Sequence, residues 1–306
     1  MSSRSEPEDL GVIMSERRRL INLAYRLLGS LTDAEDVVQE TYARWYAMSP
    51  QQQEAVGNPG AWLMKVAGRI CLDQLGSARV RRESYVGEWI PEPLPDRSEW
   101  LGGRPGGGGP PDPADRVTLD ESVNMAFLVM LESMTPAERV AFILHDVFRY
   151  PFGEVAEIVG RTPAACRQLA SSARRRVGAA QAPTVPTAQH ADVVRNFKVA
   201  WAAQDIEALV GLLDPAVTAT GDGGGIVNAQ LHPSRGRELV ANSIAGFMRS
   251  TPGLTLMERT VNGQPGLIAE RDGVIATVLA FDVADGLITN IWAVLNPEKL
   301  RPWTDG

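Results

Sequence analysis

Apolar side chains in the first part of the chain recur at helical spacing. Leu20, Leu23, Ala24, Leu27 and Leu28 follow the i, i+3, i+4, i+7, i+8 pattern of a helix that buries one face. The glycine that follows them predicts the end of this helix. No alternating strand pattern interrupts the region, so we expect an all-α domain over the first 95 residues.

Capping residues predict two more helices in this domain. Thr32 and Glu35 have the spacing of a capping box and predict a helix that continues to Tyr46. Asn58 followed by Pro59 is a cap with proline at the first helical position, so a third helix is expected to run toward the basic run RVRR.

A helix-turn-helix motif is predicted after a linker. Residues 96–113 are rich in Gly and Pro, which indicates a flexible connection between domains. Thr135 and Glu138 form a second capping box. Then Phe152–Val159, a glycine turn and a helix capped by Thr162 give a short helix, a turn and a second helix.

The last segment, 188–300, changes from helical to strand patterns. It begins with one or two helices over 188–213, and a further helix is expected near 236–248. Four strand-like runs follow, LTLMERTV, GLIAERDG, VIATVLAFDVAD and LITNIWAVL, separated by Gly and Asp-Gly. These patterns predict an antiparallel curved sheet packed on helices, an α+β domain.

Composition restricts the class of protein. The chain is 44% apolar and 22% charged, and no run approaches the length of a membrane span. The N-terminus lacks an apolar signal region, so we expect a cytoplasmic protein without a membrane partner. Cys71 and Cys166 stand alone, which favours neither disulfides nor zinc, and His145 has no Cys partner nearby.

Net charge alone does not decide whether the chain binds nucleic acid. The chain carries a formal charge of −7, yet five arginines and no acidic residue lie between Arg161 and Arg176. Such runs supply phosphate contacts, although arginines near a helix C-terminus are also favoured by the helix dipole. Their concentration on the second helix of a helix-turn-helix favours DNA binding.

Three stretches resemble the two domains of extracytoplasmic-function (ECF) sigma factors. Arg26–Tyr46 is similar to the region 2 helices that dock on core RNA polymerase, and Asn58–Arg82 to the helix that melts and reads the minus-ten element. Phe152–Arg176 resembles the region 4 helix-turn-helix that reads the minus-thirty-five element. The order of these stretches, with a linker between them, makes the resemblance specific.

Three short motifs extend the resemblance to the sigma-J-like subgroup, which carries a fused SnoaL-like domain. They are YVGEWIPEP at 85–93, DGGG at 222–225 and NPEKL at 296–300. The resemblance implies two all-α sigma domains followed by an α+β SnoaL-like cone. The expected boundaries are 1–95 for region 2, 96–113 for the linker, 114–180 for region 4 and 188–300 for the SnoaL-like domain.

The resemblance also implies functional residues, with core RNA polymerase and promoter DNA as partners and no cofactor or metal. Polymerase docking is expected from Asp33, Asp36, Gln39, Glu40 and Arg44. DNA contacts are expected from Arg69, Arg79, Arg81, Arg82, Arg161, Arg167, Gln168, Ser171, Arg174 and Arg175. Interdomain regulation is expected from Tyr85, Trp89, Pro91, Pro93, Asp222, Gly223, Gly224, Gly225, Asn296, Pro297, Lys299 and Leu300.

The role of the last domain leaves alternatives open. Trp89 among prolines is a stiff apolar peptide suited to a groove, so we hypothesise that this domain holds the interdomain linker. A small hydrophobic ligand is a further candidate partner. An enzyme with an acid or base at Asp205, Asp222, His232 or Glu270 is the first alternative, although no pair of these residues has catalytic spacing. A DNA-binding regulator that acts without polymerase is the second.

Overall fold

The computed structural model describes four stretches of the chain. They are residues 6–83, 85–95, 123–180 and 187–304, with side chains described outside 6–15, 78–83 and 179–180. The chain forms two compact units. The first contains the described residues up to 81 and those of 130–179, and the second contains those of 82–95, 123–129 and 187–304.

The first unit begins with the predicted amphipathic helix. Its stripe from Leu20 to Leu28 is at most 1% exposed, which confirms the core face. The helix ends before Gly29, whose φ of 70° and N–H bond to the Tyr25 carbonyl (2.7 Å) stop it as expected. The helices of this part are Glu6–Leu28, Leu31–Tyr46, Pro50–Glu54 and Pro59–Glu83.

The second helix is capped differently from the prediction. Ser30, in extended conformation, accepts a hydrogen bond from the Asp33 N–H, so the helix starts at Leu31 and the predicted capping box of Thr32 and Glu35 is wrong. Thr32 already lies in the first turn, because Ser30 directly follows the glycine that ends the previous helix. The short helix Pro50–Glu54 was not predicted.

The helix-turn-helix has the predicted form. Gly160 makes the turn with a φ of 70°, and the Thr162 hydroxyl accepts from the Ala165 N–H (3.2 Å) at the start of the second helix. The capping box of Thr135 and Glu138 is also confirmed, but the helix that it opens changes to a π-helix after Phe142. The helices of this part are Met125–Glu132, Pro136–Phe142, the π-helix Ile143–Val147, Phe152–Val159 and Pro163–Ala180.

A buried arginine joins separate helices of the first unit. Arg139 is 3% exposed, and it donates to the Leu27 carbonyl (2.9 Å) and to the Glu132 carboxylate (2.8 Å). Burial lowers its pKa to about 10, so the guanidinium stays charged at neutral pH. A buried charge needs such partners, because they offset the loss of hydration.

The second unit contains an α+β domain with a six-stranded sheet in the order β2-β1-β6-β5-β4-β3. The sheet is mixed, because β1 and β6 are parallel, so the prediction of an antiparallel sheet is wrong at this pair and β1 itself was missed. The strands are β1 Leu213–Asp222, β2 Ser234–Arg235, β3 Thr255–Val261, β4 Gln264–Arg271, β5 Val274–Ala284 and β6 Leu287–Val294. The helices are Thr187–Ala202, Ile206–Gly211, Arg237–Ser250, the 3₁₀ turn Pro297–Leu300 and Arg301–Thr304.

The sheet has two buried faces, since successive side chains of a strand point to opposite sides. On one face, Leu279 and Ile291 pack with Phe197 of the helix Thr187–Ala202. On the other, Trp292 and neighbouring strand residues pack with Ile90 and Met125, which come from segments far away in sequence. The candidate site lies on the side of the sheet where Ile90 and Met125 pack.

Candidate functional site

The linker segment, which we define as residues 85–95, is fixed to a carboxylate at the end of β1. Asp222 is fully buried. Its carboxylate accepts hydrogen bonds from the Tyr85 hydroxyl (2.6 Å) and from the Ile90 N–H (2.9 Å). Burial, and then the hydrogen bond to Asp222, raise the pKa of Tyr85, so this hydroxyl remains a donor across the physiological range.

A lysine neutralises this carboxylate. The Lys299 ammonium lies 2.6 Å from Asp222 Oδ2 and also donates to the Ile90 carbonyl (2.5 Å). It sits 4.2 Å from the centre of the Trp89 ring, a cation–π distance. Lys299 is only 9% exposed, so the charge pair and its linker partners are largely removed from water.

The terminal motif completes the contacts. The Asn296 amide donates to the Tyr85 hydroxyl (3.0 Å), and its carbonyl oxygen accepts from the Glu298 N–H (3.0 Å), which starts the 3₁₀ turn. The turn places Lys299 beside Asp222. It also buries Leu300 among the apolar residues that surround Ile90 and Trp292. Residues of all three motifs therefore meet at one point.

The glycines of the DGGG motif lie where side chains would collide. Gly224 has a φ of 63°, and a Cβ there would be 2.3 Å from the Asn296 amide nitrogen. A Cβ on Gly223 would be 2.1 Å from the Val227 carbonyl oxygen, and one on Gly225 would be 3.0 Å from Val86 of the linker segment. The loop combines a tight turn with close approach to its neighbours, which only glycine permits.

Two contacts at the far end of the linker segment were missed by sequence reasoning. The Leu94 N–H donates to the side-chain carbonyl of Asn262 (3.0 Å), and the Leu94 carbonyl accepts from the Asn262 N–H (2.9 Å). The Trp303 indole donates to the Pro93 carbonyl (2.8 Å). Asn262 precedes a glycine at a hairpin turn, so its sequence signal was that of a turn residue rather than of a binding residue.

A second segment packs on the same face of the sheet. Met125 is 3% exposed among Val278, Trp292 and their neighbours, and Ala126 and Val129 pack beside it. Met125, Ala126 and Val129 therefore pack on the same surface as Ile90 of the linker segment.

The candidate acid and base residues of the α+β domain do not come together. Asp205 caps the helix Ile206–Gly211 through a hydrogen bond from the Ala208 N–H (2.9 Å). His232 is exposed in a loop, and Glu270 lies partly exposed on β4. Asp222 is paired with lysine as described above.

The turn and the second helix of the helix-turn-helix carry the residues predicted to contact DNA. Arg161, Arg167 and Gln168 are exposed. Arg174 pairs with the Asp146 carboxylate (2.6 Å), and Arg175 donates to the Ser171 hydroxyl (3.3 Å).

The predicted minus-ten helix contacts the helix-turn-helix. The Arg69 guanidinium donates to the Glu157 carbonyl (2.9 Å), and Lys65 forms an ion pair with the Glu157 carboxylate. Gly68 fits closely against Ile158, because a Cβ at this glycine would lie 3.0 Å from that side chain. Arg69 is exposed, and a guanidinium has five N–H donors, so this bond leaves other donors of Arg69 for a DNA contact. The side chains of Arg79, Arg81 and Arg82 lie outside the described residues.

The predicted docking helix Leu31–Tyr46 has a buried and a polar side. It buries Val37, Val38 and Trp45, the last of which packs edge-on against Trp62 with 5.1 Å between ring centres. Trp62 thus packs in this domain. The predicted docking residues lie on the other side, where Arg44 pairs with Glu40 (2.8 Å), and they are Asp33, Asp36, Gln39, Glu40 and Arg44.

Neither a metal centre nor a membrane span is found in the part of the chain that the structure describes. No group of three His, Cys, Asp or Glu side chains there is placed to hold a metal ion. No helix among these residues is both long and apolar enough to cross a bilayer. His145 instead bonds the Tyr150 carbonyl (2.8 Å) and stacks on Phe152.

Comparison with known proteins identifies two family matches in the chain. The family described as Sigma-70 region 2 matches residues 12–81, and Sigma-70, region 4 matches residues 124–177. The chain is 38% identical over 296 residues to the ECF RNA polymerase sigma factor SigJ of Mycobacterium tuberculosis, covering 92% of this chain and 90% of that protein. It is 36% identical to the probable ECF RNA polymerase sigma factor SigI of the same species, covering 94% and 93%.

The crystal structure of Mycobacterium tuberculosis SigJ extends the likeness to three dimensions. It aligns with a TM-score of 0.73 at 34% identity and covers 96% of this chain and 98% of that one. The predicted resemblance to the sigma-J-like subgroup and the predicted fold classes are thereby confirmed. The chain belongs to the ECF RNA polymerase sigma factors, which direct core RNA polymerase to promoters.

Proposed function

We propose that the C-terminal α+β domain modulates this sigma factor by holding the linker segment. The observation that carries the proposal is the Asp222 carboxylate, which is buried and accepts from Tyr85 and Ile90 while it pairs with Lys299. This buried carboxylate binds a segment more than 120 residues away in sequence, which supports a role in holding that segment rather than in stabilising the α+β domain alone.

The electrostatics make the held state specific. If the linker segment left, the buried carboxylate would lose two of its donors, and the Lys299 ammonium would lose the Ile90 carbonyl and the Trp89 ring. Buried charges without hydrogen-bond partners are costly, so release of the segment is coupled to rearrangement or hydration of the whole cluster. We therefore expect the linker segment to have two states, held and released, with intermediate states little populated.

The packing of residues 123–129 supports the same proposal. The linker segment and residues 123–129 both pack on the face of the sheet that contains Trp292, through Ile90 and Met125. These are the two ends of the connection between regions 2 and 4. A domain that holds both ends limits the separations that regions 2 and 4 can adopt, and a sigma factor must match that separation to the spacing of two promoter elements.

We assign promoter contacts to the predicted arginines. The residues proposed for major-groove and phosphate contact at the minus-thirty-five element are Arg161, Arg167, Gln168, Ser171, Arg174 and Arg175. Arg69 with Arg79, Arg81 and Arg82 would contact the minus-ten region, and the polar side of the helix Leu31–Tyr46 would dock on polymerase.

We further propose that the α+β domain acts by binding rather than by catalysis. General acid–base chemistry needs an ionisable group beside a substrate. Asp205 is a helix cap, His232 is exposed in a loop, and Asp222 is engaged with Lys299. Turnover of a small-molecule substrate by the full-length protein, lost on substitution of one of these residues, would contradict this part of the proposal.

The test is run-off transcription with core RNA polymerase. Full-length protein is compared with a chain truncated after Ala180, the last residue of the region 4 helix, each with and without Tyr85→Phe. We expect truncation to change the amount of transcript, and Tyr85→Phe to change it in the same direction in the full-length protein. In the truncated chain, Tyr85→Phe should have no effect, since its partners Asp222 and Asn296 are absent.

Two further variants sharpen the result. Trp89→Ala removes the ring beneath Lys299 and should behave like Tyr85→Phe, whereas Glu88→Gln, a partly exposed neighbour, is the matched control. An equal effect of Tyr85→Phe in both chain lengths would mean that the linker acts on polymerase directly. Identical transcription by full-length and truncated protein would refute a modulating domain.

A further inference from the structure

The four arginines of the helix Pro163–Ala180 are held in two different ways. Three of them donate hydrogen bonds to oxygens of their own chain, and they are Arg174, Arg175 and Arg176. Arg167 is exposed, and among the residues that the structure describes none accepts a hydrogen bond from its guanidinium. Its guanidinium carbon lies instead over the Phe152 ring, 5.5 Å from the ring centre, which is a cation–π distance.

A ring partner restrains an arginine without using its hydrogen-bond donors. All five N–H groups of the Arg167 guanidinium are left for an acceptor outside the protein. In the major groove, arginine recognises guanine through two hydrogen bonds, to O6 and to N7. Such a contact needs two free donors on a guanidinium that already has a restricted orientation, because ordering a flexible side chain on binding lowers affinity. Arg167 meets both conditions.

The Phe152 ring is itself fixed by a histidine. His145 stacks on it, with 3.7 Å between the ring centres and 25° between the ring planes. The His145 Nδ1 lies 2.8 Å from the Tyr150 carbonyl oxygen, and because a carbonyl can only accept, Nδ1 carries the proton. This hydrogen bond orients the imidazole, and the imidazole restrains the ring on which Arg167 lies.

Two uncommon backbone conformations precede Phe152. His145 belongs to the π-helix Ile143–Val147, and the Phe148 N–H bonds to the Ile143 carbonyl (3.0 Å), five residues earlier. Arg149 then has a φ of 62°, in the left-handed region that costs free energy for a residue other than glycine. Turns of the π type occur frequently at functional sites. This backbone holds the imidazole and its carbonyl partner beside the Phe152 ring.

We propose that Phe152 is a positioning residue that directs Arg167 to a guanine of the minus-thirty-five element, and that His145 fixes the Phe152 ring for this purpose. The inference rests on the proposed function, in which Arg167 contacts promoter DNA. It adds that this contact reads a base rather than a phosphate, and it names the two side chains that set its geometry.

The test measures base preference with holoenzyme formed from core RNA polymerase and the full-length protein. Holoenzyme selects DNA from a library of random sequence, and sequencing of the bound DNA gives the minus-thirty-five element. The affinity of each variant is then measured for that element and for its single-base substitutions. Phe148→Leu is the matched control for Phe152→Leu, because it makes the same change in a nearby ring that lies under Arg26 (5.9 Å) rather than under an arginine of the second helix.

We expect Arg167→Ala to abolish the preference for guanine at one position of the element. Phe152→Leu should reduce the preference at that same position about two- to fivefold, which is the effect of a cation–π contact at an exposed site. Phe152→Tyr keeps the ring and should keep the preference, and His145→Leu should reduce it by less than Phe152→Leu does. Phe148→Leu should leave the preference unchanged.

The outcomes separate this inference from the promoter contact on which it rests. If Phe152 only stabilised the helix-turn-helix, Phe152→Leu would weaken binding to all sequences by one factor and leave the preference intact, which would overturn the positioning role. The loss of preference in Arg167→Ala would then still support the promoter contact. A uniform loss of affinity in Arg167→Ala, with a weaker dependence on salt, would indicate a phosphate contact and overturn the inference. No effect of Arg167→Ala would refute the promoter contact as well.

Discussion

Replacing Asp222 by asparagine should release the linker segment. The substitution keeps the size of the side chain but removes the charge that pairs with Lys299, and it places an amide N–H₂ among donors. The donors are the Tyr85 hydroxyl, the Ile90 N–H, the Gly224 N–H and the ammonium, at 2.6–3.1 Å. The buried ammonium would then lose the Asp222 carboxylate while it keeps the Ile90 carbonyl and the rings of Tyr85 and Trp89.

The magnitude follows from burial on both sides of the pair. Asp222 is 0% and Lys299 9% exposed, so solvent screens the interaction little. Removing one partner of a buried ion pair costs about 3–5 kcal/mol. Lys299→Met should cost less, because the carboxylate left behind still accepts hydrogen bonds from Tyr85, Ile90 and Gly224, whereas Asp222→Asn also places an amide N–H₂ among those donors.

Amide hydrogen exchange at Leu94 measures this release. The Leu94 N–H donates to the Asn262 side chain and does not touch Asp222, so its exchange reports opening of the segment rather than the substitution itself. A loss of about 3–5 kcal/mol corresponds to exchange about 150- to 5,000-fold faster. Asp272→Asn is the control, because Asp272 is exposed in a hairpin turn with a positive φ that asparagine also adopts.

Two results would refute the reasoning. Unchanged exchange at Leu94 in Asp222→Asn would mean that apolar packing alone holds the linker segment and that the charge cluster is incidental. A larger effect of Lys299→Met than of Asp222→Asn would mean that the remaining donors do not stabilise the carboxylate as their distances imply.

Two further predictions concern the same domain. Gly224→Ala and Gly253→Ala both place a Cβ at positive φ, but only the first collides, 2.3 Å from the Asn296 amide, so only Gly224→Ala should speed exchange at Leu94. Burial lowers the pKa of His190 and outweighs the opposing effect of the Asp282 carboxylate, so the unfolded chain binds the proton more tightly. Stability from His190 is therefore present above about pH 6.5 and lost as pH falls below it, and His190→Gln should reduce the difference between urea midpoints at about pH 5 and about pH 7.5.

Local signals predicted most helices of the chain but not the first strand of the sheet. The helix caps at Asn58, Thr135 and Thr162 act within three residues, so the sequence contains both partners of each hydrogen bond. Strand β1 has the sequence LDPAVTATGD, in which Asp, Pro and Gly favour turns. It forms because β6, far along the chain, pairs with it in parallel, and no local pattern shows that pairing.

The candidate site could be predicted only in part for the same reason. The resemblance to the sigma-J-like subgroup pointed to Tyr85, Asp222 and Lys299, but physical reasoning from their neighbours gave only a stiff peptide and a flexible glycine loop. Asn262 and Trp303 carried no signal, since a hairpin asparagine and a terminal tryptophan have many uses. Their partners are backbone atoms of the linker segment, which any sequence would supply.

A cavity of about 440 Å³ and the linker segment lie on opposite faces of the same strands. On β1, Gly221 lines the cavity and the next residue, Asp222, holds the linker segment; on β6, Ala293 lines the cavity and Trp292 packs on the linker face. Adjacent residues of one strand cannot move independently, so a molecule that shifts either strand from one side acts on the other. Sharing strands is nevertheless insufficient for regulation, because a ligand with equal affinity for the held and released states shifts neither. Any coupling must therefore come from the ratio of a molecule's affinities for the two states, and that ratio is the largest factor by which release of the linker segment can change its binding.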